Sequence, residues 1–408
     1  MASHGHGRAT PSGGGTPAGR SPAPDLSRGF MLLFIALVNA QFFLTGPDPV
    51  RSLADQIVTF VQSTLVNGRA IPLFALLFGY GAVMITRRVR AAGGGWIHVR
   101  LLLRRRGWVL LALGFAHGAL LLPVDILGAY GLALVLFAGL VRARDATLLW
   151  TAGVVALVST VLALVLTVMM TDPGAEGEGG SAAVPSLVET SFSAATVERF
   201  HEWVLYTPVT LLLVAMPMIA LGMWVGHRRI LEEPEAHRRT LRSAAVWGLG
   251  AAVVTGLPDA LVGAEVLTVG PYAEGVSAVV HDVGGWPGGI GWAALITLLA
   301  IRPERSGSAA GAHGPVVSAV AAVGERSLSC YLAQSVVFTL VFAPYGAGLG
   351  ASLGAAATAA VAVVTWVGCA IGSEALRRAD RRGPAEVLVR RLVRGADIRV
   401  PAPGGPTP

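Results

Sequence analysis

The sequence predicts an all-α, polytopic membrane protein of about ten transmembrane helices with both termini cytoplasmic. Three observations predict it. Mean hydropathy is +0.64. Only 13% of the 408 residues are charged, about half the share in a soluble domain, so the chain cannot cover a core with polar surface. Apolar runs recur at close to the length that a bilayer core requires, and the arginines lie overwhelmingly on alternate connections between those runs.

Residues 1–27 are rich in Gly, Pro, Ser and Ala and read as a disordered tail; His4 and His6 read there as solvated residues rather than a metal site. Span one covers 29–45. A signal peptide cleaved near Val38-Asn39-Ala40 fits less well, because the apolar run continues through Phe42, Phe43 and Leu44. Loop 46–67 follows. Span two covers 70–85 and stops at Arg87, Arg88 and Arg90. Spans three (107–122) and four (125–141) form a hairpin on the short turn Pro123-Val124, with Arg104, Arg105 and Arg106 before it and Arg142 and Arg144 after it. Span five covers 147–170. An outer loop, 171–203, carries Asp172, Glu176, Glu178, Glu189, Glu198 and Glu202 against Arg199. Spans six, seven and eight cover 205–226, 243–264 and 276–300, the last expected to break at Gly284, Gly285, Pro287, Gly288 and Gly289. Spans nine and ten cover 327–345 and 352–373. The domain division is therefore a tail (1–27), a ten-helix membrane domain (28–375) and a basic cytoplasmic tail (376–408).

All 31 basic residues are arginine, the composition of a GC-rich bacterial genome. The loops after odd-numbered spans hold three of them, Arg51, Arg69 and Arg199, leaving 28 (31 − 3) for the tails and the connections after even spans. The positive-inside rule then sets both termini in the cytoplasm. This topology accounts for the net charge of +7 and removes a nucleic-acid partner. Cys330 and Cys369 fall inside spans; they imply no disulfide framework or metal spacing, and Cys330 reads as a packing residue before a nucleophile.

An ionisable group inside lipid marks a functional site by default. His117, eleven residues past Arg106, sits ~16 Å along span three, where it is a general base or a neutral packing residue. Asp125 opens span four as a helix cap. On ideal geometry Tyr130, not Asp125, is level with His117; Asp125 is ~6 Å nearer the outside and meets the ring only by side-chain reach or a water. Asn39, Gln334 and Ser335 are polar groups at membrane depth that either line a cavity or join helices. Arg69 opens span two from outside, and His281 and Asp282 stand beside the span-eight break as a gate or as solvated interface. Arg104–Arg106 contact lipid headgroups or seat an anionic donor.

Taken together, several motifs resemble the bacterial YeiB-like family (domain of unknown function 418). They are Asp25-x-x-Arg28-Gly29 with Asn39; Arg69 with LFALLFGYG; Arg105-Arg106, Gly114-x-x-His117 and Asp125-Ile-Leu-x-x-Tyr130; Gly324 with Leu328-Ser329-Cys330-Tyr331 and Gln334-Ser335; and Gly383-Pro384-x-Glu386 with Arg390-Arg391. The ninth-span motif departs from the family pattern, with Glu325 after the glycine and Cys330 where asparagine is usual. The resemblance implies a place in the transmembrane acyltransferase superfamily. It further implies acyl-CoA (acetyl-CoA) as donor, no metal, and a sugar, lipid or small-metabolite acceptor at the bacterial inner membrane. His117 and Asp125 would then be catalytic. Arg28, Asn39, Arg69, Arg105, Arg106, Tyr130, Tyr331 and Gln334 would bind substrate. A proton-coupled transporter or exporter, suggested by the broken span eight, and a non-catalytic membrane partner docking through loop 171–203 are the competing expectations.

Overall fold

The computed structural model describes residues 23–171, 184–301 and 314–394, and there the secondary structure is entirely helical. Residues 1–22 with His4 and His6, 172–183 with Asp172, Glu176 and Glu178, 302–313 and 395–408 lie outside the described residues.

The chain opens with α1 (Ala23–Gln41), which already includes the last residues assigned to the tail. The expected loop 46–67 contains a helix, α2 (Leu53–Leu65), begun by Ser52, whose hydroxyl accepts from Asp55 N at 3.2 Å. Its polar residues Asp55, Thr59, Gln62 and Ser63 are buried while Leu53, Ile57 and Val61 face outward, the inverse of a water-soluble amphipathic helix and the arrangement that lipid favours. Next come α3 (Ala70–Ala91), α4 (Trp96–Leu120) and α5 (Ile126–Phe137), which tightens into a 3₁₀ turn to Arg142. The helix α4 starts eleven residues before the apolar run does, so Arg104–Arg106 sit inside it. A long outer helix, α6 (Asp145–Met170), follows.

Within the expected acidic loop, Pro185–Val188 form a single turn, α7, and α8 (Phe192–Val209) begins at Phe192. Through a π-type stretch at Thr210–Ala215, α8 runs on into α9 (Met216–His227). The stretch lies between Pro208 and Pro217, whose missing N–H groups interrupt the regular ladder. Then α10 (Arg238–Gly263) pairs along α11 (Pro271–Ala300). The expected break in span eight is absent: α11 is continuous, and its glycines instead let neighbouring chain come close, Gly285 against Gly68 and Gly289 against Leu73.

The discontinuity lies elsewhere, between α12 (Pro315–Glu325) and α13 (Ser327–Phe342), which meet at 86°. After α14 (Ala355–Arg378), the region assigned to a basic tail includes α15 (Pro384–Arg394), an amphipathic helix packed on α4 and α13.

Six of these segments are long and apolar enough to cross a membrane, or seven if the bent α12–α13 pair counts as one. The helix α4 carries too many arginines to qualify, and Ile126–Arg142 is too short. The lipid-facing surface is plain. Only 6% of the most apolar part of α6 is buried against the rest of the chain, and Trp150, Leu157, Val161 and Met169 point outward. The protein core forms between α1, α3, α4, α5, α9, α11 and the start of α13, around Met31, Leu73, Leu76, Leu103, Tyr130 and Ile219.

Candidate functional site

The hairpin of α4 and α5 closes with no side chain between its helices at Gly114. A Cβ there would collide with Gly128 N and Asp125 Oδ2. Trp203 lies against Gly118 and Gly128 on the side where the hairpin turns. The turn is held by Arg199, which is fully buried and donates to Leu120 O at 3.0 Å and to the Tyr345 hydroxyl.

This close approach decides where His117 and Asp125 meet. The helix α4 stops at Leu120, and residues 121–125 are not helical. The four-residue offset expected from two ideal helices therefore does not apply, and the contact is direct. His117 Nδ1 lies 2.9 Å from Asp125 Oδ1, with both side chains fully buried. The approach is bent: it has ion-pair distance but not the alignment of a hydrogen bond. Asp125 Oδ2 accepts from Gly128 N at 2.5 Å, so the same carboxylate caps α5. On the other side of the ring, His117 Nε2 lies 2.8 Å from Ser335 Oγ on α13. Tyr331, one turn earlier on α13, directs its hydroxyl to Asp125 Oδ1 at 3.4 Å, and its ring centroid is 4.8 Å from that of His117.

A cavity of about 1150 Å³ approaches this cluster from the arginine-rich end of the molecule. It extends beside α3 from Ala92 to Phe74, roughly 27 Å at 1.5 Å per residue. Arg28, Arg88, Arg106, Arg326, Arg382 and Arg390 line it, with Asp25, Glu232, Glu325 and Glu386 interspersed. Deeper in, the walls are apolar: Leu32, Ile35, Leu77, Phe78 and Leu110. Tyr130 and Tyr331 also line it, whereas His117, Asp125 and Ser335 do not. Tyr331 thus borders the cavity on one side and the His117–Asp125 pair on the other. Tyr130 stacks on Phe78 at 4.6 Å, forming wall rather than pairing with His117.

Of the residues singled out from sequence, Arg28, Arg106, Tyr130 and Tyr331 come together in this cavity. Arg105 does not: its Nε donates to Leu392 O at 3.1 Å, pinning α15. Nor do Asn39 and Gln334, both buried; Gln334 Nε2 reaches Leu32 O at 3.4 Å. Arg69 belongs to a separate cluster, fully buried, donating to Asn67 O and to Ala252 O at 2.7 Å. His281 lies close by, its Nε2 2.9 Å from Ser63 O and its Nδ1 3.4 Å from Asp282. The pair stands within a continuous helix, not at a break. Among the described residues, no group of three or more His, Cys, Asp and Glu is placed to hold a metal ion.

Sequence reasoning missed Arg88, Arg326 and Arg382, which had read only as topology signals, named Arg390 only as part of the C-terminal motif, and did not join Ser335 to His117, 218 residues away. The C-terminal box carried one usable signal. Glu386 accepts from Leu328 N at 2.8 Å and Ser329 N at 3.2 Å, and from the Ser329 hydroxyl at 2.5 Å. It is the N-terminal cap of α13, supplied from α15.

These features define a polytopic helical membrane protein with a buried Ser–His–Asp cluster behind Tyr331, a wall residue of an arginine-lined cavity. Residues 225–396 are similar to the family described as "Protein of unknown function (DUF418)", a YeiB-like family. The chain is similar to the "Uncharacterized protein YxaH" of Bacillus subtilis (strain 168), at 26% identity over 90% of this chain and 92% of that protein. It also resembles the "Uncharacterized 39.9 kDa protein in amylase 3'region" of Bacillus acidopullulyticus, at 34% identity over 23% of this chain and 26% of that one.

Proposed function

We propose that the chain is a membrane-bound acyltransferase. It moves an acyl group from cytoplasmic acyl-CoA to a hydroxyl or amine of a sugar, lipid or small metabolite. The observation that carries this reading is a cavity lined by arginines, by apolar side chains and by Tyr331, the residue that touches the His117–Asp125 pair. Arginines suit phosphate groups, which they bind in charge-assisted, often bidentate pairs. Apolar walls suit a pantetheine arm and acyl chain. Asp125 favours the His117 tautomer with its proton on Nδ1, which leaves Nε2 free to accept a proton from an attacking hydroxyl or amine. The Tyr331 hydroxyl is the nearest donor for charge developing on the thioester oxygen.

In this reading the arginine-rich face and both termini are cytoplasmic, the ten helical passes counted from the sequence cross the bacterial inner membrane, and the hairpin turn that the buried Arg199 holds lies toward the opposite side. The competing exporter reading drew on a broken span eight; α11 is continuous. At the bent α12–α13 junction, the exposed N–H groups of α13 that would hold an anion are already taken by Glu386.

The test uses the purified full chain in nanodiscs with labelled acetyl-CoA. The expected result is binding and label transfer by the unaltered protein, and a loss of at least about a hundredfold in His117→Ala and His117→Asn, while both variants still insert. Undiminished transfer in inserted His117→Asn ends the scheme.

A further inference from the structure

We propose that Ser335 is a covalent acyl carrier, so that transfer runs in two half-reactions through an acyl-serine ester. The inference rests on the acyltransferase reading and deepens it. The hydroxyl nearest His117 Nε2, at 2.8 Å, belongs to the protein itself. Asp125 faces the opposite ring nitrogen at 2.9 Å. Nucleophile, base and orienting carboxylate are therefore in sequence, the arrangement by which a neutral serine becomes reactive. A serine inside a helix ordinarily satisfies its hydroxyl on the carbonyl four residues back. Ser335 has that option, Tyr331 O at 3.3 Å, but its closer partner is the imidazole.

Position supports the same conclusion. Ser335 lies one helical turn beyond Tyr331, a residue of the cavity wall. On α4, His117 is three residues, roughly 5 Å of rise, from the end of the helix at Leu120. A donor entering from the arginine side and an acceptor arriving from the hairpin-turn side need not occupy one space if a residue between them holds the acyl group. Both Ser335 and His117 are almost completely buried, so an ester there is shielded from water.

In the first half-reaction, the Tyr331 ring moves off the imidazole and admits the thioester. The Ser335 Oγ–H proton passes to His117 Nε2 as Oγ bonds to the thioester carbonyl carbon. The C–S bond then breaks, and the leaving sulfur takes the proton from His117 to give the free coenzyme A thiol. In the second half-reaction, an acceptor hydroxyl or amine gives its proton to His117 and attacks the ester carbon. The C–Oγ bond breaks, and Ser335 recovers the proton. No oxidant, reductant or further reactant is consumed.

The experiment incubates the full chain in nanodiscs with labelled acetyl-CoA and no acceptor, quenches in acid and maps the label by mass spectrometry. The expected result is label on the peptide containing Ser335, absent in Ser335→Ala, with acceptor-dependent turnover in that variant down by about a thousandfold or more. Ser335→Cys is expected to carry the label as a thioester, cleaved by neutral hydroxylamine, where the serine ester resists it. A purely structural role for Ser335 would not move that lability. Near-normal transfer in Ser335→Ala with no label on the unaltered protein overturns the carrier but leaves acyl transfer standing. An unaltered protein that neither binds nor turns over acetyl-CoA overturns both, and that result separates the two failures.

Discussion

Glu386 on α15 and Ser329 on α13 bind one another twice. The Ser329 hydroxyl donates to the carboxylate at 2.5 Å, and the Ser329 backbone nitrogen donates to it at 3.2 Å. This contact fixes α15 at the arginine side of the cavity, where Glu386, Val389, Arg390 and Val393 all line it. The Glu386→Ala variant is expected to lose about 1–2 kcal/mol, the worth of an N-terminal cap. Glu386→Gln should lose less, keeping an acceptor without the charge. Thermal unfolding in nanodiscs measures both, and a melting temperature unchanged in Glu386→Ala would count against the cap.

At Gly114 a methyl group has no room. The Gly114→Ala variant should cost about 1–3 kcal/mol by overpacking and push Asp125 away from His117. Gly139, where nothing lies near an added Cβ, is the control: Gly139→Ala should leave the stability within about 0.5 kcal/mol of the unaltered chain. Equal stabilities for the two variants would show that the hairpin is looser than described.

Arg199 is a buried cation whose partners are a backbone carbonyl and a tyrosine hydroxyl. Replacement by Met removes its hydrogen bonds and strands Leu120 O, at a cost of about 1–3 kcal/mol. The loss should show first as faster proteolysis of the hairpin-turn side, near Leu121–Asp125, because Arg199 holds the end of α4. Protection unchanged there would reduce Arg199 to a packing residue.

If the arginine mouth seats phosphates, coenzyme A binding should weaken as salt rises, since partly exposed charges are screened. Arg106→Gln should raise the dissociation constant by about ten- to a hundredfold, one charge-assisted contact. Arg105→Gln should change it little, because Arg105 holds the Leu392 carbonyl instead. Calorimetry over a salt series checks both, and equal effects of the two substitutions would argue against a defined phosphate seat.

Much of the membrane scaffold was legible because long apolar runs carry one signal. What escaped were helices whose polar residues face inward or toward a partner. The segment Leu53–Leu65 read as a loop because Asp55, Gln56, Gln62 and Ser63 interrupt its hydropathy, yet three of these are buried against other helices. The first turns of α4 read as a charged connection, and α15 as part of a basic tail, because arginines there answer to the cavity as well as to topology. The span-eight glycines read as a break, although glycine in a membrane helix as often permits close packing. At the site, residue types pointed to His117 and Asp125. Their direct contact did not follow from ideal rise per residue, because the turn is not helical. The pairing of His117 with Ser335 depends on how α13 docks against α4, which no local pattern encodes.

Asp125 uses one oxygen to start α5 and the other to face His117. Assembly and reactivity are thereby tied to a single carboxylate. A hairpin that has failed to close cannot hold its imidazole, so no well-formed but dormant hairpin should accumulate during biogenesis. The indole of Trp203, set against Gly128 in the first turn of α5, becomes a fluorescent gauge once the other eight of the nine tryptophans are replaced by phenylalanine: the fraction of molecules in which its emission is native-like should equal the fraction competent to react.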